Sequence, residues 1–417
     1  MFDIQNYNIL LAFGAFIVIF LFLFLLFKNK SIGVIDPITM HLLWISGNLS
    51  FLVTFIDKYG PDYIVILFTL VFVIYIYILS YFLKPINHQC DIREGNLVIN
   101  TLNSRKIHII YFVSLSLLIF GKKPMFDFFI SNNVVSWFLY RFTAIEGGNP
   151  FFRMLDTGVT PIFLYLTFYN IHIIKKLKKI SLIMLIFYSL ISILAGGRSF
   201  LLNLIFTYGG FIAFYRGNFL KKKALTNINK IGSILILLAM LLAMIVSSMY
   251  KSDSSVEDGA KIILNRVIAT ADGMEYYIKY DGIEKLPSGG YDYVMSIFGI
   301  YLKRFLGVEY KNVGHQLSEL ATGVNLEFAQ GSNYTLPLQV MVLGYILMPV
   351  YVLIIGYICT KMRNIKAGES GSLQIVGFFF FTQCFTFATD PEFFILNVIS
   401  FYLIYYLVFY WLIKIKI

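Results

Sequence analysis

The sequence predicts an all-α polytopic membrane protein with about eleven transmembrane helices and one large, partly helical external loop. Three observations predict it. The 417-residue chain is 58% hydrophobic and 18% aromatic with only 14% charged residues, and its mean hydropathy is +0.75; no soluble core of this size needs so much apolar surface. Its apolar residues fall in membrane-length runs joined by short basic connections. One stretch breaks that rhythm: residues 250–337 mix polar and apolar sequence and hold eight Lys/Arg and eleven Asp/Glu. A loop of that length is functional or a domain in its own right.

Eleven runs have spanning character: residues 8–27, 38–56, 63–83, 107–120, 159–174, 180–195, 200–215, 231–249, 338–358, 373–388 and 394–413. The first is about 20 residues long, enough to span, and its lysines, Lys28 and Lys30, follow it. It therefore reads as a helix entering from outside and not as a cleavable signal peptide. The fourth to seventh and the tenth runs are short for a straight span. With the N-terminus outside, the connections assigned to the cytoplasm hold 20 Lys/Arg against four acids (Asp36, Asp91, Glu94, Glu369), net +16, and the outer side is net −5. That asymmetry is what membrane insertion selects, and it puts the C-terminus in the cytoplasm. The chain thus divides into spans one to eight (1–249), the extracytoplasmic loop (250–337) and spans nine to eleven (338–417).

The overall charge of +11 is explained by sidedness, so the bilayer is the implied partner and nucleic acid is not. The spans carry almost no charge, and no duplicated half with interrupted helices is visible; both count against a transporter. Cys90, Cys359 and Cys384 all avoid the long loop, so no disulfide framework is expected.

Candidate chemistry lies on the outer face. Gly196-Gly197-Arg198-Ser199 joins spans six and seven with almost no loop. Arg198 there either grips a lipid pyrophosphate through its guanidinium fork or snorkels to headgroups. Residues 259–280 have helical periodicity, with Ile263, Val267, Ala271, Met274 and Ile278 on one face and Asp272, Glu275 and Lys279 on another. Arg266 in that helix is a second phosphate clamp or an ordinary solvated charge. Residues 292–306 are too short to span and read as re-entrant or interfacial, with Lys303 and Arg304 placed to meet phosphates or to anchor the helix at headgroups. Of the five histidines only His315 faces outside; it is a general base near neutral pH or a surface residue. The run Gly331-Ser332-Asn333-Tyr334-Thr335 is polar and aromatic. No His/Cys/Asp cluster has metal-ligand spacing, so neither metal nor cofactor is called for.

The order of these pieces resembles the Wzy-type oligosaccharide repeat-unit (O-antigen and capsule) polymerase family of bacteria. The resemblance covers roughly residues 180–360. It rests on the Gly-Gly-Arg turn, the long external loop opening with an arginine- and tyrosine-bearing helix, the Gly331–Pro337 run that closes it, and Gly344-Tyr345 beyond. The resemblance implies a GT-C-like membrane scaffold in the bacterial cytoplasmic membrane and a metal-independent glycosyl transfer at its outer face. The glycan leaves an undecaprenyl-pyrophosphate carrier and joins an incoming lipid-linked repeat unit, with a chain-length regulator as a further partner the family allows. On that reading Arg198 and Arg266, with Lys303 and Arg304, hold the diphosphate. His315 serves as base, with Asp272 or Glu275 next in line, and Asn333, Tyr334 and Thr335 bind sugar hydroxyls. The alternatives are an O-antigen ligase-type transferase and a lipid-linked oligosaccharide flippase.

Overall fold

The computed structural model describes residues 7–86, 104–137, 140, 150–195, 200–217, 219–249, 269–308, 311–323, 332–367 and 374–414. Every regular element among them is helical. The α-helices of eight residues or more are, in chain order, α1 (Ile9–Leu26), α2 (Pro37–Tyr59), α3 (Tyr63–Phe82), α4 (Ser104–Gly121), α5 (Lys123–Ser131), α6 (Pro150–Tyr169), α7 (Lys178–Leu194), α8 (Phe200–Phe214) and α9 (Lys222–Met249). The loop supplies α10 (Asp272–Lys279), α11 (Gly290–Leu306) and α12 (Val313–Thr322), followed by α13 (Leu336–Leu343), α14 (Met348–Arg363), α15 (Gln374–Thr382) and α16 (Pro391–Ile404).

Six stretches among the described residues are long and apolar enough to cross a membrane: Ile9–Leu26, Pro37–Tyr59, Tyr63–Phe82, Phe151–Ile174, Tyr345–Arg363 and Pro391–Lys414. A seventh arises if α4 and α5, bent by 48°, are one broken span. The bend has a local cause: Pro124 enters α5 at its first turn, where it cannot donate to the preceding helix. Three other expected spans fall on elements shorter than 18 residues: α7, α8 and the interrupted segment 374–389. The expected run 231–249 is the second part of the 28-residue α9. The expected ninth span, 338–358, is divided. Residues 336–343 form a short, largely buried helix, the chain breaks at Gly344, and the spanning helix runs on to Arg363 with Pro349 in its first turn.

Two apolar clusters build the core. One joins α1, α2, α3, α13 and α14, with Phe51, Phe68, Phe72, Tyr75 and Val352 at its centre. The other joins α4, α6, α8, α15 and α16 through Phe163, Tyr165, Phe211, Phe378 and Phe401. The loop helices are not a separate body. Ala271, Met274, Tyr277, Leu317 and Tyr334 belong to the first cluster, so the loop folds against α1–α3 by burying its own apolar side chains there.

Candidate functional site

The described part of the long loop opens deep in the bundle. Asn48 lies at the centre of α2 and donates from Nδ2 to Thr270 Oγ1 at 3.2 Å. At the other end of α10, the Lys279 ammonium stands 5.2 Å from the ring of Tyr59, the last residue of α2. Eleven residues of helical rise separate Asn48 from Tyr59, about 16 Å. Thus α10 runs alongside the second half of α2, and Asp272 begins it near the middle of that helix.

This placement alters what the periodicity of residues 259–280 suggested. Ala271 and Met274 are buried, as an apolar face should be, but Glu275 on the polar face is buried too, at 4% exposure. Tyr7, just before α1, covers it: the Tyr7 hydroxyl donates to Glu275 Oε1 at 2.6 Å, and Lys279 pairs with the same oxygen. Lys58 and Lys279 lie 5.2 and 5.1 Å from the Tyr7 ring, and 5.1 and 5.2 Å from that of Tyr59. Burial and the adjoining carboxylate push the Tyr7 phenol well above its usual range. Glu275 therefore ties the loop to the N-terminal helices. Residues 259–268, with Arg266, lie outside the described residues.

Asp272 holds the opposite partner. Its Oδ1 accepts from the backbone N–H of Asn333 at 2.9 Å, from Asn333 Nδ2 at 3.0 Å and from Gly273 N–H at 2.7 Å. The segment 332–335 is thereby strapped to α10 on one side and to α12 on the other. There Ser332 N–H donates to Gly314 O and to Ser318 Oγ, both at 3.0 Å, and Ser332 Oγ donates to Gly314 O at 3.0 Å. Both approaches require glycine. A Cβ on Gly273 would stand 2.3 Å from Asn333 O, and one on Gly314 would stand 2.2 Å from Ser332 O. Gly314→Ala is thus expected to push the strap off α12, at a cost of about 1–3 kcal/mol. Thermal melting followed with a thiol-reactive dye checks it: a midpoint equal to that of the unaltered chain would show that the strap yields freely.

Tyr334 points back into the protein. It is 4% exposed, its hydroxyl meets Ser296 Oγ on α11 at 2.8 Å, and burial drives its phenol well up. Thr335 is fully buried, and its hydroxyl has no hydrogen-bond partner among the described residues. Of the expected sugar-binding trio, only Asn333 is exposed; Tyr334 and Thr335 are buried. Ser296, the partner of Tyr334, borders a feature that was not foreseen: a cavity of about 170 Å³ between α11, α12 and α13, lined by Tyr291, Asp292, Ser296, Lys311 and Gln316 over an apolar floor that includes Met295 and Val342. A phenol ring, a carboxylate, an ammonium, an amide and a hydroxyl around such a floor suit a ligand with both apolar faces and hydroxyl edges.

His315 belongs to the first turn of α12, between Gly314 on the strap and Gln316 on the cavity wall, and is half-buried. Asn312 caps that helix, accepting from Gly314 N–H at 2.7 Å and His315 N–H at 3.4 Å. Lys311 pairs with Glu319 one face along. The structure therefore brings together Asp272 with Asn333, places His315 on α12, one of the elements that wall the cavity, and sets Tyr334 on the strap, bonded to Ser296 of the cavity wall. It sets Glu275 apart, with Tyr7. Lys303 and Arg304 lie on α11, with side chains outside the described residues, and Arg198 is likewise outside them.

Several contributors escaped the sequence reading. Gln339 donates from Nε2 to Tyr334 O at 3.2 Å and to Phe387 O at 3.1 Å, while its Oε1 accepts from the Tyr351 hydroxyl at 2.8 Å. Tyr351 in turn meets the Tyr293 hydroxyl at 2.5 Å. This chain of buried polar groups locks the cavity helices onto α14. A glutamine in the apolar run 336–343 and an asparagine at the centre of α2 were the available signals, since polar groups at membrane depth need partners.

Burial raises the Asp272 carboxyl above its usual value near 3.8 and outweighs the hydrogen bonds from Asn333 and Gly273 that act the other way. A carboxyl raised on folding contributes stability fully below its unfolded pKa, and that contribution is lost as the pH rises through the folded value. The thermal midpoint of the unaltered chain minus that of Asp272→Asn is therefore expected to fall as the pH rises above the usual carboxyl value near 3.8. A difference that rises over this range would contradict the burial effect.

No family model matches the chain, and neither a curated protein nor a solved structure matches it.

Proposed function

We propose that the chain polymerises undecaprenyl-pyrophosphate-linked oligosaccharide repeat units by glycosyl transfer at the outer face of the bacterial cytoplasmic membrane. The observation that carries this reading is the mixed polar and aromatic cavity walled by α11, α12 and α13, with the 332–335 strap beside it. All of its lining except Val342 comes from the one stretch of sequence that departs from membrane-length apolar runs. Its Tyr291, Asp292 and Gln316 offer the stacking surface and hydrogen-bonding edges that a sugar needs. In this proposal eleven spans, an external N-terminus and the +16/−5 charge split put the loop outside. His315 takes the proton from the acceptor hydroxyl, and Arg198, Arg266, Lys303 and Arg304 stabilise the charge that develops on the diphosphate.

The test is reconstitution of the purified protein in liposomes with a lipid-linked repeat unit. A ladder of carrier-linked oligomers, unchanged by a metal chelator, is expected. Repeat units that remain single while being passed intact to a separate acceptor would point to a ligase-type transferase, and a chelator-sensitive ladder would remove the metal-independent mechanism. Sidedness is checked in intact cells, where an impermeant thiol reagent is expected to label Ser254→Cys and not Gly95→Cys. The reverse pattern would sink the mechanism.

A further inference from the structure

The cavity between α11, α12 and α13 holds one charge that its own walls leave unanswered. Those walls are fixed by hydrogen bonds within the protein. Just before α11, the Gly289 N–H donates to Val342 O, near the end of α13, at 2.7 Å. Within α11, Ser296 Oγ donates to Tyr293 O at 2.7 Å and meets the Tyr334 hydroxyl at 2.8 Å. On the α12 side, Gln316 donates from Nε2 to Lys311 O at 2.7 Å, and the Lys311 ammonium pairs with Glu319.

Asp292 is the exception. It stands in the first turn of α11 and lines the cavity. Among the described residues its carboxylate accepts no hydrogen bond and forms no ion pair. Glu319 offsets Lys311 from outside the lining, so Asp292 sets the sign of the cavity. The space also limits the ligand. A cavity of about 170 Å³ has room for a single sugar ring, and is smaller than the roughly 300–1,000 Å³ of sites that take a whole drug-sized ligand. The Tyr291 ring, 72% exposed, and the Met295 floor give the faces of such a ring apolar surface to lie on.

We propose that this cavity selects a neutral sugar residue with two adjacent free hydroxyls, gripped by Asp292, and rejects acidic sugars. The selectivity rests on the sugar site of the function proposed above and names the class of sugar it takes. An ionised carboxylate only accepts, and its two oxygens take two donors side by side, as neighbouring hydroxyls on a sugar ring supply. A uronic acid brings a second carboxylate toward Asp292 in a partly enclosed space, where like charges repel more strongly than in water. An amino sugar brings its ammonium into a cavity that Lys311 already lines.

The test is saturation-transfer NMR on the full-length protein in a phosphocholine detergent, which has no sugar headgroup. The ligands are methyl glycosides of glucose, galactose and mannose, the uronates of the first two, and methyl glucosaminide. At least one of the glucosides and galactosides is expected to bind about tenfold or more tightly than its own uronate. Asp292→Asn keeps the side-chain shape, and is expected to weaken that glycoside about tenfold and to narrow its preference over the uronate. Lys311→Gln removes the one positive charge a uronate can approach, and is expected to widen the preference. A uronate bound as tightly as its neutral parent overturns the proposal, as does a glucosaminide bound more tightly than the glucoside. Affinities unchanged in Asp292→Asn, or no binding of any neutral glycoside, overturn it as well. Binding is read here on free glycosides, without carrier or turnover. An Asp292-dependent preference with no oligomer ladder in liposomes therefore removes polymerisation and leaves the selectivity standing. A ladder beside equal binding of uronate and parent removes the selectivity alone.

Discussion

Asp36→Ala is expected to lower the thermal midpoint further than Arg363→Ala, Asp272→Asn or Gly314→Ala. Asp36 is fully buried and the Arg363 side chain is 3% exposed. The carboxylate accepts from Arg363 through both oxygens at 2.7 Å, from Ile32 N–H at 2.9 Å and from Ile38 N–H at 3.0 Å, the last as the N-cap of α2. Removing it strands a buried guanidinium, which costs about 3–5 kcal/mol, and uncaps α2 for about 1 kcal/mol more. Arg363→Ala strands the carboxylate but leaves the cap, so it should cost somewhat less. Asp36→Ala with Arg363→Met removes both charges and fills the space, and should recover most of the loss. Cys359 and Cys384 are buried free thiols, so a thiol-reactive dye reports unfolding directly. A double variant no more stable than the single ones would show that the stabilisation lies in the capping and not in the charge pair.

If the proposed function holds, His315→Ala is expected to slow the proposed polymerisation by about a hundredfold or more while leaving lipid-linked repeat unit bound as before. An acceptor hydroxyl has a high pKa, and a positioned base contributes that much by taking its proton in the transition state. The position fits: His315 lies in the first turn of α12 between the residue that packs on the strap and one that lines the cavity. The loss should fall on turnover. If His315→Gln keeps substantial turnover with weaker binding, the histidine only hydrogen-bonds the substrate. Asp272 would then be the better placed carboxylate, because Glu275 is occupied by Tyr7 and Lys279.

What the sequence determined by itself was everything written in local pattern. Apolar runs of full length became α1, α2 and α3, because a stretch of that hydropathy and length satisfies its own backbone hydrogen bonds as a helix. Its composition also separated the loop from the spans, and Asp272, Asn333 and His315 were all singled out by residue type. Tertiary structure alone decided which of these groups meet. Tyr7 reaches Glu275 across 268 residues and Asn48 reaches Thr270 across 222, so a helix face that periodicity marks as polar is buried under the N-terminal segment. Likewise the need for glycine at 314 and 273 arises only from the carbonyls of Ser332 and Asn333 packed against them. Periodicity reports which side of a helix is apolar. What covers the other side depends on the packing of elements far apart in the chain, where a buried polar group takes whichever partner the fold brings within hydrogen-bonding distance.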